Sequence, residues 1–97
     1  MTLVQLRVFV KVAELEHMTR AAGELNLAQS AASAAVAALE AEYAVKLFHR
    51  VGRSIRLTSH GTALLAQART VLQLVQRIPD RVQNIKEETI PCRSITL

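Results

Sequence analysis

The sequence predicts a mainly α-helical protein, in which three helices and a short two-stranded β-hairpin are followed by a long helix. Apolar residues recur at three- and four-residue steps over most of the chain, which is typical of helices with one buried face. The composition is 51% hydrophobic but only 3% aromatic, which favours a helical core of small and branched aliphatic side chains. Around Gly52 the pattern changes to alternation at period two, which indicates the hairpin.

Length and charge limit the kinds of protein that this chain can be. The chain of 97 residues is long enough for one domain with a modest core. Its 12 Lys and Arg against 8 Asp and Glu give a net charge of +4, which suits an acidic partner such as nucleic acid. One segment without any acid, residues 46–58, holds a surplus equal to that whole net charge in Lys46, Arg50, Arg53 and Arg56.

Several other classes of protein are disfavoured. The lone Cys92 cannot form an internal disulfide, which makes a reduced, cytoplasmic setting the default. The histidines lack the spacing of a metal cluster, so we expect neither a metal nor another cofactor at His17, His49 or His60. A signal peptide or a membrane span is not expected, because the apolar N-terminal segment is interrupted by Arg7, Lys11 and Glu14.

The first predicted helix runs from about Thr2 to Glu16. Thr2 and Gln5 have the spacing of a capping box, in which each side chain accepts a hydrogen bond from a free backbone N–H. We interpret His17 as a surface residue at the C-terminal end of this helix, where partial positive charge is tolerated. The apolar face that we expect to pack inward consists of Leu3, Leu6, Phe9, Val10 and Ala13.

The next two helices have the spacing of a helix-turn-helix. Thr19 is expected to cap a short helix, Arg20 to Leu25, and a turn at Asn26 and Leu27 separates it from a third helix over 29–42. Small side chains in the short helix allow the two helices to cross closely. The residues expected to face inward are Ala21, Ala22, Leu25, Val36 and Leu39.

The third helix is polar only near its N-terminal end. Taken alone, its alanine-rich sequence is more typical of an ordinary buried helix. In a helix-turn-helix, however, the second helix enters the major groove of DNA with its N-terminus first. Gln29, Ser30 and Ser33 would then lie at base edges and phosphates, and thymine methyl groups would be within reach of Ala31, Ala32 and Ala34.

Residues 46–58 are predicted to form the hairpin, a wing with Gly52 at its tip. Leu47, Ile55 and Leu57 can point inward at period two, while Arg56 alternates outward. The alternative is a solvated loop whose arginines only add solubility or steer an acidic partner.

The last predicted helix begins near Thr58 or Ser59 and runs to Ile78. Pro79 lacks the backbone N–H that continues a helix, so we expect it to end or kink this one. The apolar surface is wider than a small domain can cover, which predicts that part of it packs on the first helix and the remainder on a second copy of the chain. The residues expected at that dimer contact are Leu64, Leu65, Ala68, Val71, Leu72 and Val75.

Short motifs occur along the chain in the order Leu6-Arg7-x-Phe9, Thr19-Arg20-Ala21-Ala22, Gln29-Ser30-Ala31, Ala38-Leu39-Glu40, Leu47-Phe48-x-Arg50 and Leu57-Thr58-x-x-Gly61. In these motifs the chain from Thr2 to about Ile78 resembles the N-terminal DNA-binding domain of the LysR-type transcriptional regulators. The resemblance implies a winged helix-turn-helix followed by a long linker helix that pairs antiparallel with its partner in a homodimer. It also implies binding to double-stranded promoter DNA, regulation of transcription, and a place at the nucleoid in the bacterial cytoplasm.

The resemblance further implies site residues. Gln29, Ser30 and Ser33 match recognition-helix residues that contact DNA, and Arg53 matches the wing arginine that reaches into the minor groove. Contacts to the DNA backbone are expected from Thr19, Arg20 and Arg50, although Arg50 is alternatively structural in the wing. The sequence departs from the family where many members carry a long polar residue, a capping serine or threonine, and a glycine, namely at Ala34, Ala28 and Ala44.

The predicted organisation is a DNA-binding domain over 1–58, a linker or dimerisation helix over 59–88 and an extended or disordered tail over 89–97. Full-size family members continue into an effector-binding domain, which we expect to be absent here together with any small-molecule effector. The alternative function is a dimerisation or protein-interaction module without useful DNA affinity. An enzyme with catalytic residues is not expected, because Ser30 and Ser33 have no nearby histidine and acid in a nucleophilic arrangement.

Overall fold

A computed structural model of the protein describes residues 1–52 and 54–83. The two strands are antiparallel, with Phe48 opposite Leu57 and Val51 opposite Ser54. This arrangement confirms the predicted mainly α fold with a two-stranded wing and a long final helix. In chain order the elements are α1 (Leu3–Leu15), α2 (Met18–Glu24), α3 (Gln29–Tyr43), β1 (Phe48–Val51), β2 (Ser54–Leu57) and α4 (Ser59–Gln83).

The first helix lies between two parts of the core. Its residues Leu6, Phe9 and Val10 pack with side chains from α3 and α4 in one cluster. On its other side, Val8 and Val12 pack with alanines of α2 and α3. The sequence pattern predicted only the first of these faces, because a single apolar stripe does not reveal that a helix is covered on both flanks.

The start of α1 is the predicted capping box. The Thr2 hydroxyl accepts a hydrogen bond from the Gln5 N–H at 3.1 Å, and the Gln5 side-chain oxygen accepts one from the Thr2 N–H at 3.1 Å. Leu3 was expected to face inward but is 43% exposed. Its place in the first turn leaves it outside both core clusters.

The second helix begins earlier than the sequence predicted. It starts at Met18, and its N-cap is His17, whose ring Nδ1 accepts a hydrogen bond from the Arg20 N–H at 3.1 Å. The predictions that Thr19 caps this helix and that His17 ends α1 are therefore wrong. The reason is that α1 ends at Leu15, and its C-cap residue Glu16 has a left-handed φ of 53° that turns the chain directly into the next helix.

Both ends of α3 match the departures noted in the sequence. Ala28 is the N-cap residue and offers no side-chain hydrogen bond. Ala44 follows the helix with a left-handed φ of 54°. Such a conformation places the Cβ of a residue other than glycine close to the following carbonyl oxygen, so the chain carries local strain at this point.

The hairpin is fastened to the helices by its polar backbone as well as by its apolar face. The Glu40 carboxylate of α3 accepts hydrogen bonds from the Leu47 N–H at 2.8 Å and the Phe48 N–H at 3.5 Å. Leu47 is buried, and the rings of Phe48 and Phe9 have centroids 5.3 Å apart. As predicted, Ile55 and Leu57 are half-buried against the core while Arg56 is exposed, and Gly52 turns the chain with a φ of 62°.

The long helix starts against the hairpin. The Thr58 hydroxyl accepts a hydrogen bond from the Gly61 N–H at 3.1 Å, as expected of a cap. A Cβ at Gly61 would stand 2.2 Å from the Leu47 carbonyl oxygen, so only glycine fits where α4 passes Leu47.

The end of α4 differs from the prediction. The helix continues through Pro79 to Gln83, so of the two expected effects of Pro79 the end at Ile78 is wrong. The continuation agrees with the predicted linker helix over 59–88 as far as Gln83. Proline removes one helical N–H, but the hydrogen bonds of the neighbouring turns remain available and the helix continues. The rest of the predicted linker, 84–88, and the predicted tail, 89–97, lie outside the described residues. Within the described part, no helix is both long enough and apolar enough to span a bilayer.

Candidate nucleic-acid interface

The N-terminal end of α3 presents small and polar groups at the surface. Gln29 and Ser30 are exposed and Ser33 is half-buried. The helix packs inward through Ala32, Val36 and Leu39, at steps of three and four residues. This spacing leaves the predicted base-contacting side chains on the outer side of the helix.

One of the three alanines predicted to touch thymine methyl groups is in the core. Ala32 is 0% exposed and packs beneath α3, so its prediction as a DNA contact is wrong. Ala31 and Ala34 are exposed and keep that predicted role. A run of alanines hides this difference in the sequence, because every position carries the same side chain and the helical periodicity gives no signal.

Four of the predicted DNA contacts meet in one cleft of about 220 Å³, which we call the α3-hairpin cleft. It lies where α2, the first turns of α3 and the hairpin come together. Arg20 and Ser30 are exposed beside it but do not line it, and Arg53 lies outside the described residues. The lining residues are Thr19, Gln29, Ser33 and Arg50, with Glu16, His17, Met18 and Ile55.

A second cleft of about 200 Å³ continues this surface between α3 and β1. It shares Ser33 and Arg50 with the first cleft and adds Lys46 and His49. Neither added residue was among the predicted contacts. For Lys46 a signal existed, because it belongs to the basic segment 46–58, whereas nothing in the sequence distinguishes His49 from a surface histidine.

The cations around the clefts form no ion pair with a protein carboxylate in the described part of the chain. Four ion pairs lie in that part. Lys11 pairs with Glu24 at 3.5 Å and Glu14 at 4.0 Å, Arg69 pairs with Glu14 at 3.5 Å, and the N-terminal ammonium of Met1 pairs with Glu42 at 2.6 Å. None of the described pairs engages the exposed cations near the clefts, so their charge is available to an acidic partner. These cations are Arg20, Lys46, Arg50 and Arg56.

The backbone position of Arg50 is set by the hairpin and not by a contact of its own side chain. It stands opposite Ile55 in the antiparallel pair, and the Ile55 N–H donates to the Glu16 carbonyl oxygen at 3.4 Å. The Glu40 hydrogen bonds fix the other end of the strand. The distance between Arg50 and the start of α3 is therefore set by the fold.

The outer surface of α4 has the opposite character. Four apolar residues at steps of three and four are exposed there: Val71 (37%), Leu74 (56%), Ile78 (56%) and Val82 (62%). We call this set the α4 stripe. An apolar groove of about 390 Å³ adjoins it, and Met1, Tyr43 and Val45 are among its lining residues.

The predicted dimer contact is only partly available on this surface. Ala68 is 1% exposed and belongs to the core of its own chain, so its assignment to a dimer contact is wrong. Leu64, Leu65 and Leu72 also pack against that core, on its half-buried edge. Val71 is exposed and Val75 is half-buried. The sequence shows that the apolar surface of the last helix is wide, but not which part of it α1 covers.

The sequence matches a protein family described as bacterial regulatory helix-turn-helix protein, lysR family, over residues 3–62. The match begins with α1 and ends in the first turn of α4. It therefore includes every residue that lines the α3-hairpin cleft.

Curated relatives are transcriptional regulators of greater length. HTH-type transcriptional regulator GalR of Pseudomonas putida is 40% identical over 88 residues, which are 91% of this chain and 22% of GalR. HTH-type transcriptional regulator YvbU of Bacillus subtilis, described as uncharacterized, is 43% identical over 79 residues, which are 80% of this chain and 27% of YvbU. The chain thus spans only 22% and 27% of the length of these relatives.

Solved structures of similar chains include complexes with DNA. The DNA-binding domain of CbnR in complex with DNA has a TM-score of 0.79 and 40% identity, over 86% of this chain and 95% of that chain. The DNA-binding domain of BenM in complex with the catB site 1 DNA has a TM-score of 0.83 and 32% identity, over 88% of this chain and 94% of that chain.

Proposed function

The chain belongs to the lysR family of bacterial regulatory helix-turn-helix proteins, and we propose that it binds a specific double-stranded DNA sequence as a homodimer and so controls transcription from the promoter it occupies. The family consists of transcriptional regulators rather than enzymes, in agreement with the expectation from the sequence. The proposed place of action is the nucleoid in the bacterial cytoplasm.

The observation that carries the proposal is the α3-hairpin cleft. Thr19, Gln29, Ser33 and Arg50 come from three separate segments and line one concave surface. Hydroxyl, amide and guanidinium groups are the donors that bind phosphates and base edges. Their convergence beside cations that form no ion pair within the described residues supports an acidic ligand at this surface.

We propose that the recognition helix, 29–42, enters the major groove and that the wing, 46–58, lies at the minor groove. Gln29, Ser30 and Ser33 would then read base edges or bind phosphates. Arg53 is proposed as the wing contact on its sequence position alone. Because α3 carries few long side chains, phosphate contacts and the shape of the minor groove would supply much of the affinity.

The homodimer would form through the linker helix, 59–88. The α4 stripe supports this part of the proposal, because exposed apolar side chains at helical spacing are typical of an interface. Leu74, Ile78 and Val82 extend the predicted contact beyond Val71 and Val75. Two copies would place two recognition helices on one duplex, which requires a site with two related half-sites.

Selection of bound duplexes from a random pool tests the proposal. We expect enrichment of one motif with two related half-sites, and a steep loss of affinity as the salt concentration rises. A pool without enrichment, together with equal affinity for random duplexes at every salt concentration, would contradict specific binding. If the chain then still self-associates in sedimentation, the alternative of a dimerisation module without DNA affinity is supported.

A further inference from the structure

We propose that His17 is a further DNA-contact residue, whose Nδ1 holds the start of α2 while its Nε2–H donates a hydrogen bond to a phosphate oxygen of the bound duplex. The inference rests on the proposed function, since it requires DNA at the α3-hairpin cleft. Sequence reasoning assigned this residue no role beyond a surface position at the end of a helix.

The hydrogen bond at Nδ1 fixes the state of the ring. The Arg20 backbone N–H lies 3.1 Å from His17 Nδ1. A backbone amide can only donate, so Nδ1 is the acceptor and carries no proton. The neutral imidazole then has its proton on Nε2, which makes that nitrogen a donor. Because the two ring nitrogens face away from each other, the Nε2–H points away from the amide that Nδ1 contacts.

The position of the ring places this donor at the proposed interface. His17 is exposed and lines the α3-hairpin cleft together with Thr19, Gln29 and Arg50. Across residues 1–52 and 54–83, no protein group accepts a hydrogen bond from its Nε2. A donor whose orientation is already fixed loses little conformational freedom when it binds, which favours a contact to the ligand.

The hydrogen bond at Nδ1 requires the neutral ring. An imidazolium has donors at both nitrogens and would lose the acceptor that caps α2. The charged groups near the ring are Arg50 on β1, Arg20 on α2 and Glu16 at the end of α1. The neutral ring keeps the cap and still offers one N–H to a phosphate.

Two substitutions at His17 distinguish the proposed hydrogen bond to phosphate from the hydrogen bond that caps α2. Serine is a preferred N-cap residue, so His17→Ser keeps the hydrogen bond to the Arg20 N–H but lacks a donor that reaches the cleft, whereas His17→Ala lacks both. Thermal unfolding of the 97-residue chain should give a wild-type midpoint for the serine variant and a lower one for the alanine variant. Affinity of each variant is measured on a duplex from the random-pool selection.

The expected result is that both variants lose about threefold to tenfold in Kd per chain, since each lacks the hydrogen bond to phosphate. A wild-type Kd for His17→Ser, with weaker binding only in His17→Ala, would show that the residue acts solely as a cap and would overturn the proposal. If the wild-type chain binds no selected duplex at all, the proposed function fails and this inference fails with it.

The salt dependence of binding identifies the kind of contact. A neutral donor releases no counterion, so the slope of log Kd against log salt concentration should be the same for wild type and His17→Ser. Arg50→Ala is the matched comparison, because removal of a cation that contacts phosphate reduces the slope by about one. A reduced slope in His17→Ser would indicate a charged imidazolium and would overturn the neutral contact proposed here.

Discussion

The two exposed faces of the molecule differ in composition and in how they are held. The face formed by the start of α3 and the hairpin is polar and basic, and its side chains come from three segments that the fold brings together. The face formed by the α4 stripe is apolar and comes from one helix. The first is suited to an extended acidic ligand, and the second to a copy of the same helix.

The two faces are joined by a short connection at the start of α4. The Thr58 hydroxyl, which caps α4 by accepting from the Gly61 N–H, also donates a hydrogen bond to the Lys46 carbonyl oxygen at 2.5 Å. The Thr58 N–H donates to the Leu47 carbonyl oxygen at 3.0 Å. A rigid connection of this kind would fix the angle between the wing and the proposed dimer axis. Substitutions on one face that leave this connection intact should therefore not disturb the other face.

The largest expected effect comes from placing charge in the α4 stripe. Leu74→Glu combined with Ile78→Glu should prevent self-association, because an apolar contact cannot bury two carboxylates without partners. A monomer binds only one half-site, so affinity for the selected duplex should fall by about 100-fold or more. Gln76→Glu adds a single carboxylate at an exposed position of α4 outside the stripe and should leave both properties unchanged. Dimeric behaviour of the double variant in sedimentation would show that the stripe is not the interface.

The next largest effect is expected at Gly61, where α4 starts against the hairpin. Gly61→Ala places a Cβ 2.2 Å from the Leu47 carbonyl oxygen, and such overpacking typically costs about 1 to 3 kcal/mol of unfolding free energy. Gly23→Ala is the matched control, because a Cβ there meets nothing within 4 Å and alanine favours the helix by about 0.5 to 1 kcal/mol. Denaturant unfolding should therefore give changes of opposite sign, and equal changes would mean that the close approach at Leu47 is not tight in solution.

A smaller effect is expected at the basic face. Arg50→Ala should weaken binding to the selected duplex by about tenfold, with little change in stability, because it removes an exposed charge that we propose contacts phosphate. Arg69→Ala is the control, since this arginine is paired with Glu14 at 3.5 Å on the side of α1 and α4, and exposed pairs contribute little to stability. If the two variants bind equally well, the structural alternative for Arg50 is favoured.

The smallest expected effect separates stability from binding. Ala44→Gly should raise the unfolding free energy by about 1 kcal/mol, because glycine accepts the left-handed φ of 54° without strain. DNA affinity should not change, since Ala44 follows the end of α3 that lies opposite Gln29. Asn26→Gly is the comparison, at a φ of 58°, where asparagine already tolerates this conformation and the gain should be smaller. A change in affinity would indicate that the end of α3 takes part in recognition.

Periodicity and motif spacing were sufficient for the fold and for much of the candidate site. The capping box at Thr2 follows from residue type and spacing, and the structure confirms it. Ala28 and Ala44 were departures from the family that the sequence resembles; in the structure Ala28 offers no cap and Ala44 is left-handed. The cleft also gathers Thr19 and Arg50, which the resemblance to the family implied as DNA contacts, with the polar residues of α3. Their role in DNA binding stays a prediction.

The remaining features depend on tertiary contacts that a sequence pattern does not contain. The sequence does not single out His17 as a cap, because Thr19, a better capping residue by type, lies two positions later. The burial of Ala32 and of Ala68 depends on where α1 passes. Continuation of α4 through Pro79 requires that the flanking turns keep their hydrogen bonds, which the local sequence does not decide.

The most direct test of the two-face arrangement is the stoichiometry of the complex, measured by sedimentation of the chain with the selected duplex and with a scrambled duplex of equal length. We predict two chains on each selected duplex at physiological salt, and no stable complex with the scrambled one. A single bound chain on the selected duplex, or equal binding to both duplexes, would contradict a homodimer that reads DNA through α3 and pairs through α4.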